Sequence, residues 1–159
     1  RYYFLKHGPI TEDVDISLAH FEEVYNADLA NGLGNTVARI AKMAENSGIR
    51  FEVKNWGEIL GEEKLWEGKW SSPLAEYRVD LTLQKIWELL SQADKHINTH
   101  EPWAEKDPNK LREILEYEVN SIRYIAQVLE PFLPDTSAKI QEQFLKETVR
   151  TTNPLFVRL

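Results

Sequence analysis

The chain has 159 residues, with 26 acidic and 19 basic side chains and a formal net charge of −7. It contains no cysteine, which excludes disulfides, thiolate metal sites and thiol nucleophiles and fits a reducing compartment, so we expect a cytoplasmic location. No apolar run approaches the roughly 20 residues that a membrane-spanning helix needs. The acidic balance argues against non-specific nucleic-acid binding, which requires clustered Lys and Arg.

The first part of the chain predicts a short helix end followed by one long helix. Residues 1–5 are rich in aromatic side chains and resemble the tail of a helix, which Gly8 and Pro9 then interrupt. Ser17 is a suitable N-cap for a helix over residues 18–46. We expect this helix to be kinked or restarted around residues 26–28.

Residues 48–75 form the least regular part of the sequence. Gly48 is well placed to end the preceding helix, and short helical turns are predicted near residues 56–60 and 62–66. Trp56, Trp66 and Trp70 lie in this stretch. We interpret it as a helix-to-helix connection whose tryptophans pack under the bundle, and the open alternative is that they serve as anchors for a partner protein.

A second long helix is predicted over residues 74–100, because its apolar side chains recur at alternating steps of four and three residues. Asp107 followed by Pro108 predicts an N-cap and first helical residue. That third helix should end before Pro131. The apolar positions of the second helix are Val79, Leu83, Ile86, Leu90, Ala93 and Ile97.

A fourth helix should begin at Asp135 or Thr136, and residues 151–159 should form an extended tail that packs Leu155 and Phe156 onto the bundle. Few stretches alternate as strands do. The sequence therefore predicts an all-α fold, a bundle of four to five helices with one long connection. We expect residues 1–159 to form one domain of a longer protein, because the chain opens on Arg1 in a stretch that already resembles structure.

The sequence offers little that points to catalysis. Gly32 and Gly34 follow no predicted strand, so they do not form a phosphate-binding loop. His96 and His100 are four residues apart and share a helix face, but a metal site needs a third ligand. The nearest carboxylates are Asp94 and Glu101, and a solvated helix end is the better interpretation. We predict no catalytic residue and no metal site.

Residues 28–43 carry a distinctive polar face. Asn35 and Arg39 are four residues apart, so their side chains lie one above the other opposite the apolar stripe. An amide and a guanidinium together offer donors and acceptors suited to base edges. Gly32 and Gly34 each cost a helix about 1 kcal/mol. We expect them where another helix or a ligand backbone approaches closely.

Trp103 follows the helix-breaking Pro102 at a position that is usually exposed. An indole held there is suited to stacking on an unpaired base, which is worth about 1–3 kcal/mol. The alternatives are a hydrophobic cap for Trp103 and an ordinary solvated face for Asn35 and Arg39. Residue type and spacing alone leave these alternatives open.

Several stretches, in chain order, resemble the anticodon-binding domain of methionyl-tRNA synthetases. The most specific is Asn-Ala-Asp-Leu-Ala-Asn-Gly-Leu-Gly-Asn at residues 26–35, with Arg39 four residues later. Glu-Pro-Trp at residues 101–103 is similar to the Pro-Trp motif of the family. The weaker similarities are residues 1–5 and 13–17 at the entry, residues 131–136 at a helix–bend–helix, and residues 154–158 at the close of the domain.

The resemblance implies that Asn35, Arg39 and Trp103 recognise the CAU anticodon of methionine tRNA. The parent of such a domain is a class I ligase that activates methionine with ATP and Mg²⁺ and transfers it to tRNA. The His-Ile-Gly-His-like and Lys-Met-Ser-Lys-Ser-like motifs of its catalytic domain are absent from this sequence. We therefore expect no catalytic residue or cofactor here, and as partners the anticodon loop and the catalytic domain of the same chain, with no membrane.

The chain departs from the family at three positions. Asp94 and His96 stand where the family often has Asn and Tyr, which adds a negative charge near the expected RNA site, and Val157 replaces a proline. Two alternatives remain open. One is the anticodon domain of a related class I synthetase for valine, isoleucine, leucine or cysteine, and the other is a helical scaffold for protein interactions.

Overall fold

The computed structural model describes residues 1–8, 15–53 and 70–159. Within these ranges all regular structure is helical, which confirms the predicted all-α class. None of the helices in the described ranges is long and apolar enough to cross a bilayer. The helical turns predicted near residues 56–60 and 62–66, with Trp56 and Trp66, lie outside the described residues.

Seven α-helices and one π-helix make up the described structure. Their bounds are α1 Tyr2–His7, α2 Leu18–Val24, the π-helix Tyr25–Gly34, α3 Asn35–Ser47, α4 Ser71–Ala75, α5 Val79–His100, α6 Pro108–Leu129 and α7 Pro134–Phe144. The π-helix coincides with the predicted kink around residues 26–28. It joins α2 and α3 into one continuous helical rod.

Local chemistry explains most helix ends. The hydroxyl of Ser17 accepts a hydrogen bond from the His20 amide at 3.2 Å, as an N-cap does. The Asp107 carboxylate accepts one from the Asn109 amide at 2.9 Å ahead of Pro108. Gly48 ends α3 with φ 64°, the left-handed conformation that glycine adopts without strain. These three predicted ends are confirmed.

The predicted start of the second long helix at residue 74 is wrong. Residues up to Ala75 belong to the short α4, and α5 begins at Val79. Between them Tyr77 has φ 57°, which breaks the helix. The Arg78 guanidinium pairs with the Asp80 carboxylate at 2.6 Å at the new helix start. The apolar spacing of the sequence runs through this break and does not reveal it.

Helix α6 is the centre of the bundle, packing against α3, α5 and α7. Its inward side chains are fully buried, and Ser137 of α7 donates a hydrogen bond to the Ala126 carbonyl of α6 at 2.7 Å. This arrangement places α3 and the C-terminal end of α5 side by side over α6. The fully buried apolar residues of α6 are Leu115, Val119, Ile122, Ile125, Ala126, Val128 and Leu129.

A buried arginine in α6 anchors the end of α7. Arg123 is 1% exposed and donates to the backbone carbonyls of Phe144 at 2.9 Å and Glu52 at 2.6 Å. It also donates to the Lys146 carbonyl at 3.3 Å. The sequence analysis did not anticipate this arginine, because its position on α6 carries no signal of burial beyond the neighbouring apolar residues.

The C-terminal tail packs onto the π-helix, as predicted. Leu155 and Phe156 lie against the core, and the Phe156 ring meets the Tyr25 ring edge-on at 6.0 Å. The side-chain amide of Asn26 donates a hydrogen bond to the Leu159 carbonyl at 3.3 Å and accepts one from the Leu159 backbone amide at 3.1 Å. The tail therefore covers the side of the π-helix that carries Tyr25 and Asn26.

Candidate nucleic-acid interface

The π-helix shapes the face on which Asn35 lies. In a π-helix an amide bonds to the carbonyl five residues earlier, as the Asn35 amide does to the Ala30 carbonyl. A side chain at Gly34 would come within 3.0 Å of the Leu29 carbonyl and 3.4 Å of the Phe156 ring. A residue with a Cβ at this position would therefore have to push the Leu29 carbonyl or the Phe156 ring aside by a few tenths of an ångström.

Gly32 lies where helix α5 approaches. A Cβ at this position would be 3.3 Å from the Ala27 carbonyl and 3.7 Å from the Trp87 indole nitrogen of α5. The approach of another helix predicted for the two glycines is present only at Gly32, where the Trp87 side chain lies at ordinary contact distance. At Gly34 the prediction is wrong in its neighbour, because the approaching group is the Phe156 ring of the C-terminal tail.

Asn31, Asn35 and Arg39 follow one another at four-residue intervals along the outer face of the rod. Asn31 and Asn35 are exposed and Arg39 is half-buried. The side-chain Oδ1 of Asn31 accepts a hydrogen bond from the Arg158 guanidinium of the tail at 2.6 Å. The face therefore presents two amides and one guanidinium to solvent in a row.

Arg39 and Trp103 meet in space although they are far apart in sequence. The Cζ atom of Arg39 lies 5.2 Å from the centre of the Trp103 ring, within the range of a cation–π contact. The Arg39 Nη2 also donates to the side-chain Oδ1 of Asn98 on α5 at 2.8 Å. A guanidinium has five N–H groups, and these contacts orient Arg39 while using only one of its terminal nitrogens.

A tight turn holds Trp103 at the surface. Glu101 ends α5 in the left-handed region with φ 44°, and the Ala104 amide bonds to its carbonyl at 2.8 Å. Pro102 is buried in the turn, while Trp103 is 57% exposed. An indole exposed to this extent does not act as a hydrophobic cap, which was the alternative interpretation from the sequence.

Glu105 fixes the far side of this turn. Its carboxylate accepts hydrogen bonds from the amides of Lys106 and Asp107 at 2.8 and 3.0 Å and pairs with Lys110 at 2.8 Å. The Lys110 ammonium and the two amides hold the pKa of the Glu105 carboxyl at about 2. The turn between α5 and α6 is therefore bound at both ends.

A buried polar pair lies behind Arg39. Glu118 of α6 is fully buried, and its Oε1 lies 2.5 Å from Nδ1 of His96 on α5. Burial raises the pKa of the Glu118 carboxyl to about 8, with the Asp94 charge adding to the rise and Arg39 opposing it. Burial also lowers the pKa of His96. Burial therefore favours a neutral Glu118 carboxyl, whose O–H donates a hydrogen bond to Nδ1 of an uncharged His96 ring.

The two histidines of α5 do meet. The His96 ring lies between the rings of His100 and Tyr117, at 4.0 and 4.1 Å. In the described ranges, no three side chains of His, Cys, Asp or Glu are grouped so that they could hold a metal ion. The Asp94 carboxylate, which adds negative charge here, accepts a hydrogen bond from the Thr36 hydroxyl at 3.0 Å.

The structure thus brings Arg39 and Trp103 into contact, with Asn35 one helical turn before Arg39 on the same open face. Two residues of this surface were not among those expected from the sequence. They are Asn98, which orients Arg39, and Arg158, which contacts Asn31. For Asn98 a signal was available, because it occupies a polar position of α5 five residues before Trp103. No pattern in the sequence identifies Arg158 as a neighbour of Asn31.

Comparison with known proteins gives consistent matches. The family model described as tRNA synthetases class I (M) matches residues 1–41. The methionine–tRNA ligase of Clostridium acetobutylicum is 34% identical over 155 residues, covering 90% of this chain and 24% of that protein. The Bacillus subtilis methionine–tRNA ligase is 31% identical over 191 residues, covering 100% of this chain and 28% of that protein. The chain therefore spans about a quarter of the length of these relatives.

The fold also has a close counterpart among solved structures. The free form of the Mycobacterium tuberculosis methionyl-tRNA synthetase superposes with a TM-score of 0.76 at 19% sequence identity. The match covers 99% of this chain and 38% of that one. At this level of identity the likeness shows that the helical architecture is shared.

Proposed function

We propose that this chain, which belongs to the methionyl-tRNA synthetase family, binds the anticodon loop of methionine tRNA for its parent enzyme. The observation that carries the proposal is the contact between the Arg39 guanidinium and the exposed Trp103 indole. Two side chains from separate helical elements form one surface, and the exposed Asn35 lies on the adjoining turn.

The surface is open, which suits single-stranded nucleotides. Sequence-specific recognition of RNA targets unpaired bases, which stack on aromatic rings and present their hydrogen-bonding edges. Trp103 supplies the ring, and Arg39 covers part of it and holds it in place. The outward N–H groups of Arg39 and the amide of Asn35 then bind the edges of the anticodon bases, which we propose to be CAU.

The acidic net charge of −7 agrees with recognition through bases rather than through many phosphates. Within the parent enzyme, aminoacylation with methionine, ATP and Mg²⁺ belongs to a catalytic domain outside these 159 residues. We propose that this part contributes recognition and no catalytic residue. We also place the parent enzyme in the cytoplasm.

The two alternatives are less well supported. The relatives described above are named as methionine–tRNA ligases, which favours methionine over valine, isoleucine, leucine or cysteine as the parent's amino acid. A protein-binding scaffold would need exposed tryptophan anchors in residues 48–75. Trp70 is 2% exposed and donates to the Tyr124 hydroxyl at 3.0 Å, so it is unsuited to that role.

A panel of anticodon stem-loops that differ only in the anticodon tests the proposal. The 159-residue chain should bind the CAU stem-loop more tightly than loops with valine, isoleucine, leucine or cysteine anticodons at one fixed salt concentration. This preference should be lost in the double variant Asn35→Ala, Arg39→Ala. It should be kept in Lys139→Ala, a change at an exposed position of α7. Equal affinity for all loops in the unaltered chain would contradict the proposal.

A further inference from the structure

The carboxyl of Glu118 is an unusual group to find beneath an RNA-binding face. It is fully buried, and within the described part of the chain its Oε2 has no hydrogen-bond partner. A buried polar atom without a partner destabilises the fold. A neutral carboxylic acid reduces that cost, whereas a buried carboxylate with one free oxygen increases it.

Three helices contribute the charged and titratable groups around Glu118. Helix α5 supplies Asp94 and His96, with His100 stacked on His96. Helix α3 supplies Arg39, and α6 supplies Tyr117, whose ring also stacks on His96. Asp94 disfavours a charge on Glu118, and Arg39 favours one.

Arg39 therefore has two competing interactions. Outside, it faces solvent beside Trp103 and Asn98. Inside, its partner Asn98 lies two residues along α5 from His96, which contacts Glu118, and the charge of Arg39 favours ionisation of Glu118. When Glu118 is protonated, the inner attraction is absent. When the proton leaves to solvent, the buried carboxylate offsets the positive charge of Arg39.

We propose that Glu118 is a positioning residue that controls RNA binding through Arg39. While Glu118 holds its proton, the charge of Arg39 is available to the RNA, and when Glu118 ionises, that charge is drawn toward the core. This inference rests on the proposed function of the Arg39 face. Because RNA binding and proton binding are thermodynamically linked, bound RNA in turn favours the protonated form of Glu118.

The pH dependence follows from the direction of the pKa shift. The pKa of Glu118 is raised to about 8, so the acid is neutral below that pH and ionised above it. RNA affinity should be constant on the acid side and fall as the pH rises through about 8. We expect a loss of about three- to tenfold, the size of one partly screened charge interaction.

The experiment measures binding of a fluorescent CAU stem-loop by the 159-residue chain from about pH 6 to about pH 9 at fixed ionic strength. Glu118→Gln keeps a hydrogen-bond donor for His96 and should give an affinity that does not depend on pH across this range. Any titration of the RNA itself would appear in this variant as well.

Asp94→Asn is the matched second variant. Its amide oxygen still accepts a hydrogen bond from the Thr36 hydroxyl, so the local contact at 3.0 Å is retained. Because the Asp94 charge raises the pKa of Glu118, its removal should move the midpoint of the affinity loss to lower pH. A purely structural role for Glu118 would change affinity without moving a midpoint.

A measurement without RNA tests the proton on Glu118 directly. Since the folded-state pKa is raised, the native state holds a proton that the unfolded chain releases, and stability falls as pH rises from the ordinary carboxyl pKa to about 8. Glu118→Gln should therefore resist urea better than the unaltered chain at about pH 9, with the difference disappearing near about pH 4.

The outcomes separate the two proposals. If the unaltered chain does not bind the stem-loop at any pH, the proposed function fails. If it binds with a flat pH profile, or if Glu118→Gln loses affinity above about pH 8 just as the unaltered chain does, the inference about Glu118 is overturned while the proposed function stands. If Glu118→Gln and the unaltered chain show the same dependence of stability on pH, the inference about Glu118 is also overturned.

Discussion

Arg39 and Arg123 are the same side chain in two opposite settings. Arg123 is 1% exposed and is surrounded by the carbonyls of Phe144, Glu52 and Lys146, to which it donates. Arg39 is half-buried, donates to Asn98, and lies over an exposed indole. Arg123 uses its donors for backbone carbonyls of the fold. Arg39 is oriented by the fold and keeps N–H groups that a ligand can accept from.

The partners of a guanidinium therefore indicate its role better than its burial does. Backbone carbonyls at the end of α7 require buried donors, since an unsatisfied carbonyl in the core is costly. A side-chain amide and an aromatic face restrict Arg39 and use one of its two terminal guanidinium nitrogens. Loss of Arg123 should therefore affect folding, and loss of Arg39 should affect binding.

The largest effect is expected for Arg123→Met. Met fills similar volume but leaves buried carbonyl groups without donors, so we expect a loss of about 3–5 kcal/mol in the free energy of unfolding. Urea denaturation followed by circular dichroism measures it. A loss below about 1 kcal/mol would remove one side of the comparison.

Arg39→Met should give the reverse result. Its affinity for the CAU stem-loop should fall by about 2–3 kcal/mol, because charged hydrogen bonds to the RNA are lost. The free energy of unfolding should change by no more than about 0.5 kcal/mol, as is usual at a partly exposed position. Isothermal titration calorimetry and urea denaturation on the same preparation check both parts, and a stability loss like that of Arg123→Met would break the contrast.

Trp103→Ala should weaken stem-loop binding by about 1–3 kcal/mol, the value of one stacked base. Its matched control is Trp70→Phe, which removes the buried hydrogen bond to Tyr124. The control should lower stability by about 1 kcal/mol and leave affinity unchanged. If the Trp70 variant loses affinity and the Trp103 variant keeps it, the RNA surface has been placed on the wrong side of the bundle.

The smallest effect is expected for Asn98→Ala. Asn98 orients Arg39 through one hydrogen bond of 2.8 Å, so its loss should cost about 0.5–1 kcal/mol of binding free energy. Combining it with Arg39→Met should add little, because both changes remove the same interaction. Full additivity in this double-mutant cycle would show that Asn98 acts independently of Arg39.

Much of the fold was predictable because it depends on local chemistry. The caps at Ser17, Asp107 and Gly48 act within a few residues, and apolar spacing marks the buried stripes of α3 and α5. The break at Tyr77 was missed because a left-handed residue other than glycine leaves no trace in an apolar pattern. The break is a local helix end, in which the amides of Tyr77 and Arg78 bond to the carbonyls of Leu74 and Pro73 at 3.0 and 2.8 Å.

The sequence proposed the members of the candidate site, whose role in RNA binding stays a prediction, but not the contacts that support them. Asn35, Arg39 and Trp103 follow from residue type, spacing and family resemblance. The contacts of Arg39 with Asn98, Asn31 with Arg158, and His96 with Glu118 join separate helices or the tail. Contacts of this kind depend on how helices pack, which sequence spacing does not determine.

The most direct test of the RNA-binding face is a ¹H–¹⁵N spectrum of the chain titrated with the CAU anticodon stem-loop. We predict that the signals of the Trp103 indole N–H and of the Asn35 side-chain amide shift on binding, while the signal of the buried Trp70 indole N–H does not. A spectrum in which the Trp103 and Asn35 signals do not move, although the RNA is bound, would contradict it.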